Sequence, residues 1–221
     1  MTLDRARFVA TVDGGGTLFL TCAQLDPRVR PARSARVAEW LALLFGDDVD
    51  RGLDWLATAT DLERPTAALY LEGPRRVGKG LLAAGVAALW GASVTGYADI
   101  AGGFNSALRH CPVVFLDEGA PKVSGGSAFF RSLISETHRP LTEKHRPTAT
   151  LHGCVRLIIG ANNADALRIH EDLTQADEEA IGERIFHVDV GPEAAAYLEG
   201  LGGRSGGTRR WVHDDDGRPG E

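Results

Sequence analysis

Residues 73–79 match the GxxxxGK pattern of a phosphate-binding loop. The two glycines allow a tight turn whose backbone N–H groups point inward, and a helix that follows would present its positive end to a phosphate. Lys79 would reach the β and γ phosphates of a nucleotide. Gly80 stands where this loop usually has Ser or Thr, whose hydroxyl binds Mg²⁺. The predicted nucleotide-binding residues are Gly73, Pro74, Arg75, Arg76, Val77, Gly78, Lys79, Gly80 and Leu81.

An acidic pair, Asp117 and Glu118, follows the apolar run 113–116. Carboxylates at the end of a buried parallel strand lie beside the phosphate loop in sheets of this kind. Asp117 is predicted to hold Mg²⁺, directly or through water, and Glu118 to orient and polarise the attacking water. A solvated strand end is the alternative interpretation of the pair.

Two further polar residues flank apolar runs. Asn162, followed by Asn163, ends the run 157–159, and its neutral amide could contact the γ-phosphate or the attacking water. Arg184 precedes the run 185–190, and an arginine from one subunit often completes the nucleotide site of a neighbouring subunit. A salt bridge between Arg184 and Glu183 is the alternative.

Short apolar runs alternate with stretches of helical periodicity along the chain. This alternation predicts a mostly parallel sheet covered by helices on both faces. The fold class is therefore an α/β P-loop NTPase, AAA+-like, with a small helical N-terminal segment. The predicted strands are 67–71, 94–97, 113–116, 155–159 and 185–190, and the predicted helices lie within 36–63, 81–90 and 129–137.

Three regions are predicted. Residues 1–63 hold a strand, a Pro- and Arg-containing surface connection and a helical segment. Residues 64–192 form the ATPase core, and residues 193–221 form a C-terminal helix and a frayed tail.

Composition narrows the class of protein. The 221 residues are 43% hydrophobic and 24% charged, as in globular proteins, and no apolar run approaches the roughly 18 residues of a membrane span. Three scattered cysteines predict neither a disulfide framework nor a zinc site, which favours the cytoplasm. A net charge of −6 means that any affinity for nucleic acid needs a local basic patch. The strongest candidate is Lys144, His145 and Arg146, within the basic stretch 139–146, and a solvated loop is the alternative.

The order of these motifs resembles superfamily 3 helicases, and most closely the helicase module of phage and plasmid primase–polymerase proteins. The likeness covers about residues 36–190. Beyond the phosphate loop, it is carried by residues 104–108, 113–118, 142–145 and 161–167.

The resemblance implies a role for each candidate residue. Lys79 would bind phosphates, Asp117 and Glu118 would serve Mg²⁺ and water, Asn162 would be the sensor, and Arg184 would act as an arginine finger across a subunit boundary. The DNA-gripping hairpin would carry Lys144, His145 and Arg146. The implied protein hydrolyses ATP with Mg²⁺, forms a hexameric ring on single-stranded DNA, has a possible primase–polymerase partner, needs no membrane, and works in the host cytoplasm if it is phage-encoded.

Two other functions remain open. Nucleoside monophosphate kinases resemble this loop in having Gly after the lysine, although they follow it with Thr where this chain has Leu81. A small-molecule phosphotransferase is therefore one alternative. The other is a nucleotide-binding assembly ATPase with slow turnover, which Gly80 favours. No primase–polymerase domain precedes the ATPase segment, so the chain is expected to be a stand-alone helicase subunit or a fragment of a longer protein.

Overall fold

The described part of the protein contains two β-sheets, with helices packed around the larger one. The computed structural model describes residues 7–12, 16–22, 32–101, 103–117, 126–162, 179 and 181–201. Of the helices within these ranges, none combines the length and the hydropathy needed to cross a membrane.

The larger sheet has five parallel strands in the order β4-β5-β8-β3-β9. Apart from the two-residue strand β4, the strands are rich in Val, Ile, Leu and Phe, and the central strands β3 and β8 are almost wholly buried. Burial on both faces is what such continuous apolar runs predict. The predicted parallel sheet is confirmed. Its strands are β3 (Ala68–Glu72), β4 (Thr95–Gly96), β5 (Val113–Asp117), β8 (Arg156–Ala161) and β9 (Ile185–Asp189).

Six helices accompany this sheet in the described ranges. In α1, the Ser34 side chain accepts a hydrogen bond from the backbone N–H of Val37 at 3.4 Å, and Gly46 ends the helix with a φ of 53°. The prediction of a strand at 94–97 was wrong at its end, because Tyr97 already begins α4 and buries its ring. The helices are α1 (Ala35–Phe45), α2 (Val49–Thr58), α3 (Lys79–Ala88), α4 (Tyr97–Ala101), α5 (Gly126–Ser135) and α6 (Glu193–Gly200).

The smaller sheet is antiparallel, with strands in the order β2-β1-β7-β6. It consists of β1 (Arg7–Val12), β2 (Gly16–Cys22), β6 (His138–Leu141) and β7 (Ala149–His152). Sequence patterns indicated only short β-prone pieces here, and the pairing of β1 with β7 joins residues 141 positions apart, as in the hydrogen bond between Thr11 and His152. Residues 23–31, which hold part of the predicted surface connection, and residues 202–221, predicted as a frayed tail, lie outside the described residues. The boundaries of the three predicted regions stay predictions.

A buried arginine joins the larger sheet to the segment that precedes it. Arg156, the first residue of β8, has 0% exposure. Its guanidinium donates to the backbone carbonyls of Ala59 at 2.9 Å, of Arg64 at 3.0 Å, and of Asp61. Burial lowers the pKa of Arg156, although the nearby Cys154 thiol opposes this shift. The fixed fork of donors therefore holds the end of α2 and the approach to β3 against β8.

We expect Arg156→Met to lower the free energy of unfolding by about 3 kcal/mol or more, because several buried carbonyl groups would lose their donor. Urea denaturation would measure the change. Arg33→Met, at an exposed position, is the matched control and should change stability by less than about 0.5 kcal/mol. Equal effects of the two substitutions would contradict this role of Arg156.

Candidate functional site

Three of the predicted site residues lie at one edge of the parallel sheet. Glu72 of β3 is aligned with Ala161 of β8, so the chain leaves both strands at the same level, into Gly73 and Asn162. Asp117 ends β5 level with Gly160. Parallel pairing therefore brings the carboxyl ends of β3, β8 and β5 together, which is where α/β sheets bind ligands.

The loop 73–78 is confined by close packing at both ends. A Cβ atom on Gly73 would lie 2.3 Å from the carbonyl oxygen of Val190, so only glycine fits there. Gly78 has a φ of 99°, and a Cβ atom there would lie 2.7 Å from the Trp40 ring. The indole of Trp40 also donates a hydrogen bond to the carbonyl of Val77 at 3.2 Å. Helix α1 therefore supports the back of the loop and fixes its path into α3.

Lys79 is the first residue of α3 and is 8% exposed. Its side chain reaches back into the loop 73–78. Its ammonium donates hydrogen bonds to the carbonyls of Gly73 at 2.7 Å and Pro74 at 2.9 Å. It also donates to the Asn162 side-chain oxygen at 3.2 Å. Lys79 and Asn162, 83 residues apart in the chain, thus lie side by side. A phosphate oxygen entering the loop would compete with these uncharged acceptors for the ammonium.

The position next to Lys79 is open. Gly80 is exposed, and a Cβ atom added there would meet only the Phe115 ring, at 3.6 Å. Phe115 lies two residues before Asp117 on the same face of β5, and the Asp117 side chain is exposed. A carboxylate and room for water therefore lie together on the β5 side of the loop. Mg²⁺ usually keeps several waters and takes one or two carboxylates, so Asp117 fits such an ion. Glu118 and Asn163 lie outside the described residues.

A second group of possible metal ligands lies on the other side of Gly73. His187 Nε2 is 3.0 Å from a carboxylate oxygen of Glu72 and 3.4 Å from one of Asp189. Glu72 and Asp189 also line an open cavity together with Gly73 and Asn162. Sequence analysis missed this group, although the spacing of His187 and Asp189 puts both on one face of β9.

Arg184 lies at the opposite edge of the sheet. It precedes β9, and its carbonyl accepts a hydrogen bond from the backbone N–H of Ala68 at 2.8 Å. Gly73 is six positions beyond the residue level with Arg184, which is about 20 Å at roughly 3.3 Å per residue. The Arg184 Nε donates to the Ser135 hydroxyl at 2.9 Å. The structure therefore does not bring Arg184 to the loop of its own chain.

The basic residues predicted for DNA lie on the connection between β6 and β7. Lys144, His145 and Arg146 are all exposed, and His145 turns the chain with a φ of 62°. The Lys144 ammonium lies 5.7 Å from the centre of the Phe104 ring, which is 47% exposed. Phe104 was not among the residues predicted to bind DNA. No pattern in the sequence could reveal that its ring is exposed beside Lys144.

Comparisons with known proteins agree with this fold. The Family of unknown function (DUF5906) matches residues 71–180. A search of the curated proteins gives no match.

Among solved structures, the NrS-1 C-terminal region (305–718) in its apo state has a TM-score of 0.59 at 16% identity, over 86% of this chain and 50% of that one. Its A form gives 0.55 at 17% identity, over 80% and 46% of the two chains. A JCV helicase bound to a small molecule gives 0.49 at 15% identity, over 80% and 48%.

At such identities the structural likeness defines the fold alone. The protein has the α/β fold of P-loop NTPases, with a central parallel sheet flanked by helices. The chain spans about half the length of the solved structures that it matches.

The two glycines of the loop should respond differently to an added methyl group. Gly78→Ala should destabilise the fold by about 1–3 kcal/mol, because of its positive φ and the contact with Trp40. Gly80→Ala should leave stability unchanged or raise it by about 0.5–1 kcal/mol, because Gly80 lies in a helix with open space around it. Thermal denaturation of the pair would test this, and equal losses would contradict the described path of the loop.

Proposed function

We propose that the chain is the ATPase module of a DNA helicase of the superfamily 3 type, which hydrolyses ATP while moving on single-stranded DNA. The observation that carries the proposal is the contact of Lys79 with Asn162 at 3.2 Å inside the glycine-bounded loop. A cation and a neutral amide side by side in such a loop would both be able to contact the γ-phosphate of a nucleotide. The resemblance to phage and plasmid replication proteins supports the rest of the assignment, including a hexameric ring and a primase–polymerase partner.

Lys79 and the start of α3 would bind the phosphates of ATP. The N-terminal end of the α3 dipole and the Lys79 ammonium both favour negative charge. Asn162 would hydrogen-bond the γ-phosphate or the attacking water without adding a charge. The Asn162 side chain would thus distinguish whether the Lys79 ammonium binds a phosphate or the loop carbonyls.

Asp117 is the residue proposed to hold Mg²⁺, with Glu118 beside it in sequence to orient water. A bound Mg²⁺ would neutralise the charge that develops on the β- and γ-phosphate oxygens. Because Gly80 offers no hydroxyl, a water would occupy the ligand position that Ser or Thr usually fills. The open space next to Gly80 accommodates that water.

Arg184 can serve a nucleotide only in a neighbouring subunit. Its distance of about 20 Å from Gly73 along the sheet exceeds the reach of an arginine side chain. An arginine at this edge would therefore complete the site of the next subunit in a ring, where it would stabilise charge in the transition state.

The connection 142–148, with Phe104, is the proposed contact with DNA. Lys144 and Arg146 would bind backbone phosphates, and the exposed Phe104 ring would stack on a base. Stacking and phosphate contacts are both tolerant of sequence, as movement along DNA requires.

The central test is ATP hydrolysis by the purified protein, alone and with single-stranded DNA or nucleoside monophosphates. We expect DNA to stimulate hydrolysis, and Lys79→Ala to abolish ATP binding, measured with a fluorescent ATP analogue, because the phosphates lose their cation. Arg33→Ala should behave like wild type. Stimulation by a nucleoside monophosphate instead would favour the phosphotransferase. ATP binding with little hydrolysis under every condition would favour the slow assembly ATPase, and unchanged affinity in Lys79→Ala would exclude the loop as the nucleotide site.

Mixing experiments test the role of Arg184 in a neighbouring site. Arg184→Ala alone should bind ATP nearly normally but hydrolyse it at least roughly tenfold more slowly. Mixed with Lys79→Ala subunits, it should regain activity, because some boundaries then combine an intact loop with an intact arginine.

The matched control for the mixture is the double variant Lys79→Ala/Arg184→Ala. Mixed with Arg184→Ala subunits, it provides no boundary with both groups and should restore nothing. Equal activity in the two mixtures would contradict a shared site.

A further inference from the structure

The segment that carries Phe104 is held against the β6–β7 hairpin by the side chain of Asn105. The amide of Asn105 donates to the carbonyl of Pro140 at 2.7 Å and accepts from the backbone N–H of Thr142 at 2.8 Å. The backbone N–H of Asn105 donates to the carbonyl of Thr142 at 3.3 Å. Asn105 therefore bonds to the end of β6 much as a neighbouring strand would. The two bonded segments are 35 to 37 residues apart in the chain.

An ion pair fastens the same two segments a second time. Arg109 lies 2.8 Å from one carboxylate oxygen of Glu143, and the two side chains are only 24% and 15% exposed. The other oxygen of Glu143 lies 3.4 Å from Nε of Arg146. Limited exposure protects the pair of Arg109 and Glu143 from screening by salt. The buried Leu108 anchors the turn that carries Arg109.

We propose that Asn105 and Glu143 are positioning residues that fix Phe104 beside Lys144, so that one nucleotide of single-stranded DNA is bound by both at once. This inference rests on the proposed DNA-binding function. It adds that neither Asn105 nor Glu143 contacts DNA, and that each acts through the two residues that do.

The physical reason lies in the different origins of Phe104 and Lys144. Phe104 belongs to the connection between α4 and β5, whereas Lys144 belongs to the connection between β6 and β7. A base on the aromatic ring and the adjacent phosphate on the ammonium are a fixed distance apart in one nucleotide. Two protein groups bind such a ligand cooperatively only when their own spacing is fixed beforehand. Without the contacts of Asn105 and Glu143, Phe104 and Lys144 would bind independently of each other.

A double-mutant cycle measures this cooperation directly. The binding of a fluorescent oligothymidine is measured by anisotropy for wild type, Phe104→Ala, Lys144→Ala and the double variant. The cycle is then repeated in the Asn105→Ala background. In the native background we expect each single substitution to weaken binding roughly tenfold, and the double variant to be weakened clearly less than the product of the two. In the Asn105→Ala background the two effects should multiply.

Controls separate positioning from loss of structure. Ser106→Ala, at the exposed neighbour of Asn105, should preserve the native cycle. Glu143→Gln weakens the other attachment between the two segments and should likewise reduce the coupling between Phe104 and Lys144. It serves as the background for the cycle if Asn105→Ala proves unstable. ATP binding, measured in parallel, should stay unchanged in all these variants, because none of the substituted residues belongs to the phosphate loop, which follows β3 of the larger sheet.

The outcomes separate the two proposals. If Phe104→Ala and Lys144→Ala both leave the affinity for oligothymidine unchanged, the DNA interface itself is wrong, and the positioning role with it. If both weaken binding but their coupling is the same in the native, Asn105→Ala and Glu143→Gln backgrounds, the interface stands and the positioning role is overturned.

Discussion

The parallel pairing of β3 between β8 and β9 is the constraint on which the rest of the site depends. Because all three strands run in one direction, Gly73 and Asn162 leave the sheet at one edge, while Arg184 enters it at the other. The same pairing therefore brings Lys79 and Asn162 within hydrogen-bonding distance and keeps Arg184 away from both. A chain built in this way holds most of the proposed nucleotide site at one edge, and at the opposite edge the residue proposed to complete the site of a neighbouring subunit.

Arg156 and Lys79 are buried cations that backbone carbonyls stabilise in different ways. An ion buried without partners is very unfavourable, so each must find acceptors. Arg156 uses the carbonyls between residues 58 and 64, whose positions its rigid fork fixes. Lys79 uses two carbonyls of its own loop and the amide of Asn162. The two side chains differ chemically. The Arg156 guanidinium, held by several carbonyls, keeps one position, whereas the Lys79 ammonium on its flexible stem can exchange its acceptors for phosphate oxygens.

The sequence predicted the parallel sheet because its strands are continuous apolar runs. It also predicted that Lys79 and Asn162 are site residues, because both follow such runs. It did not predict the smaller sheet. The pairing of β1 with β7 joins distant segments, and neither strand carries a strong pattern of its own. The exposure of Phe104 and the group of Glu72, His187 and Asp189 were missed for a related reason. An exposed aromatic ring, or three ligands drawn from two strands, is defined by tertiary placement, whereas a phosphate loop is defined by local spacing.

The charge of the proposed DNA contact explains why it would need an aromatic ring. The whole chain carries a net charge of −6, so long-range attraction to DNA is absent. Arg146 already shares Glu143 with Arg109. This leaves Lys144 as the main cation of the connection 142–148 that has no carboxylate partner among the described contacts. Affinity from counterion release grows with the number of phosphates neutralised, and here that number per subunit is small. Stacking on Phe104 adds binding energy that salt does not screen. In the proposed ring, repeating a weak contact would give strong binding overall, while each subunit could still release its own nucleotide during the proposed movement along DNA.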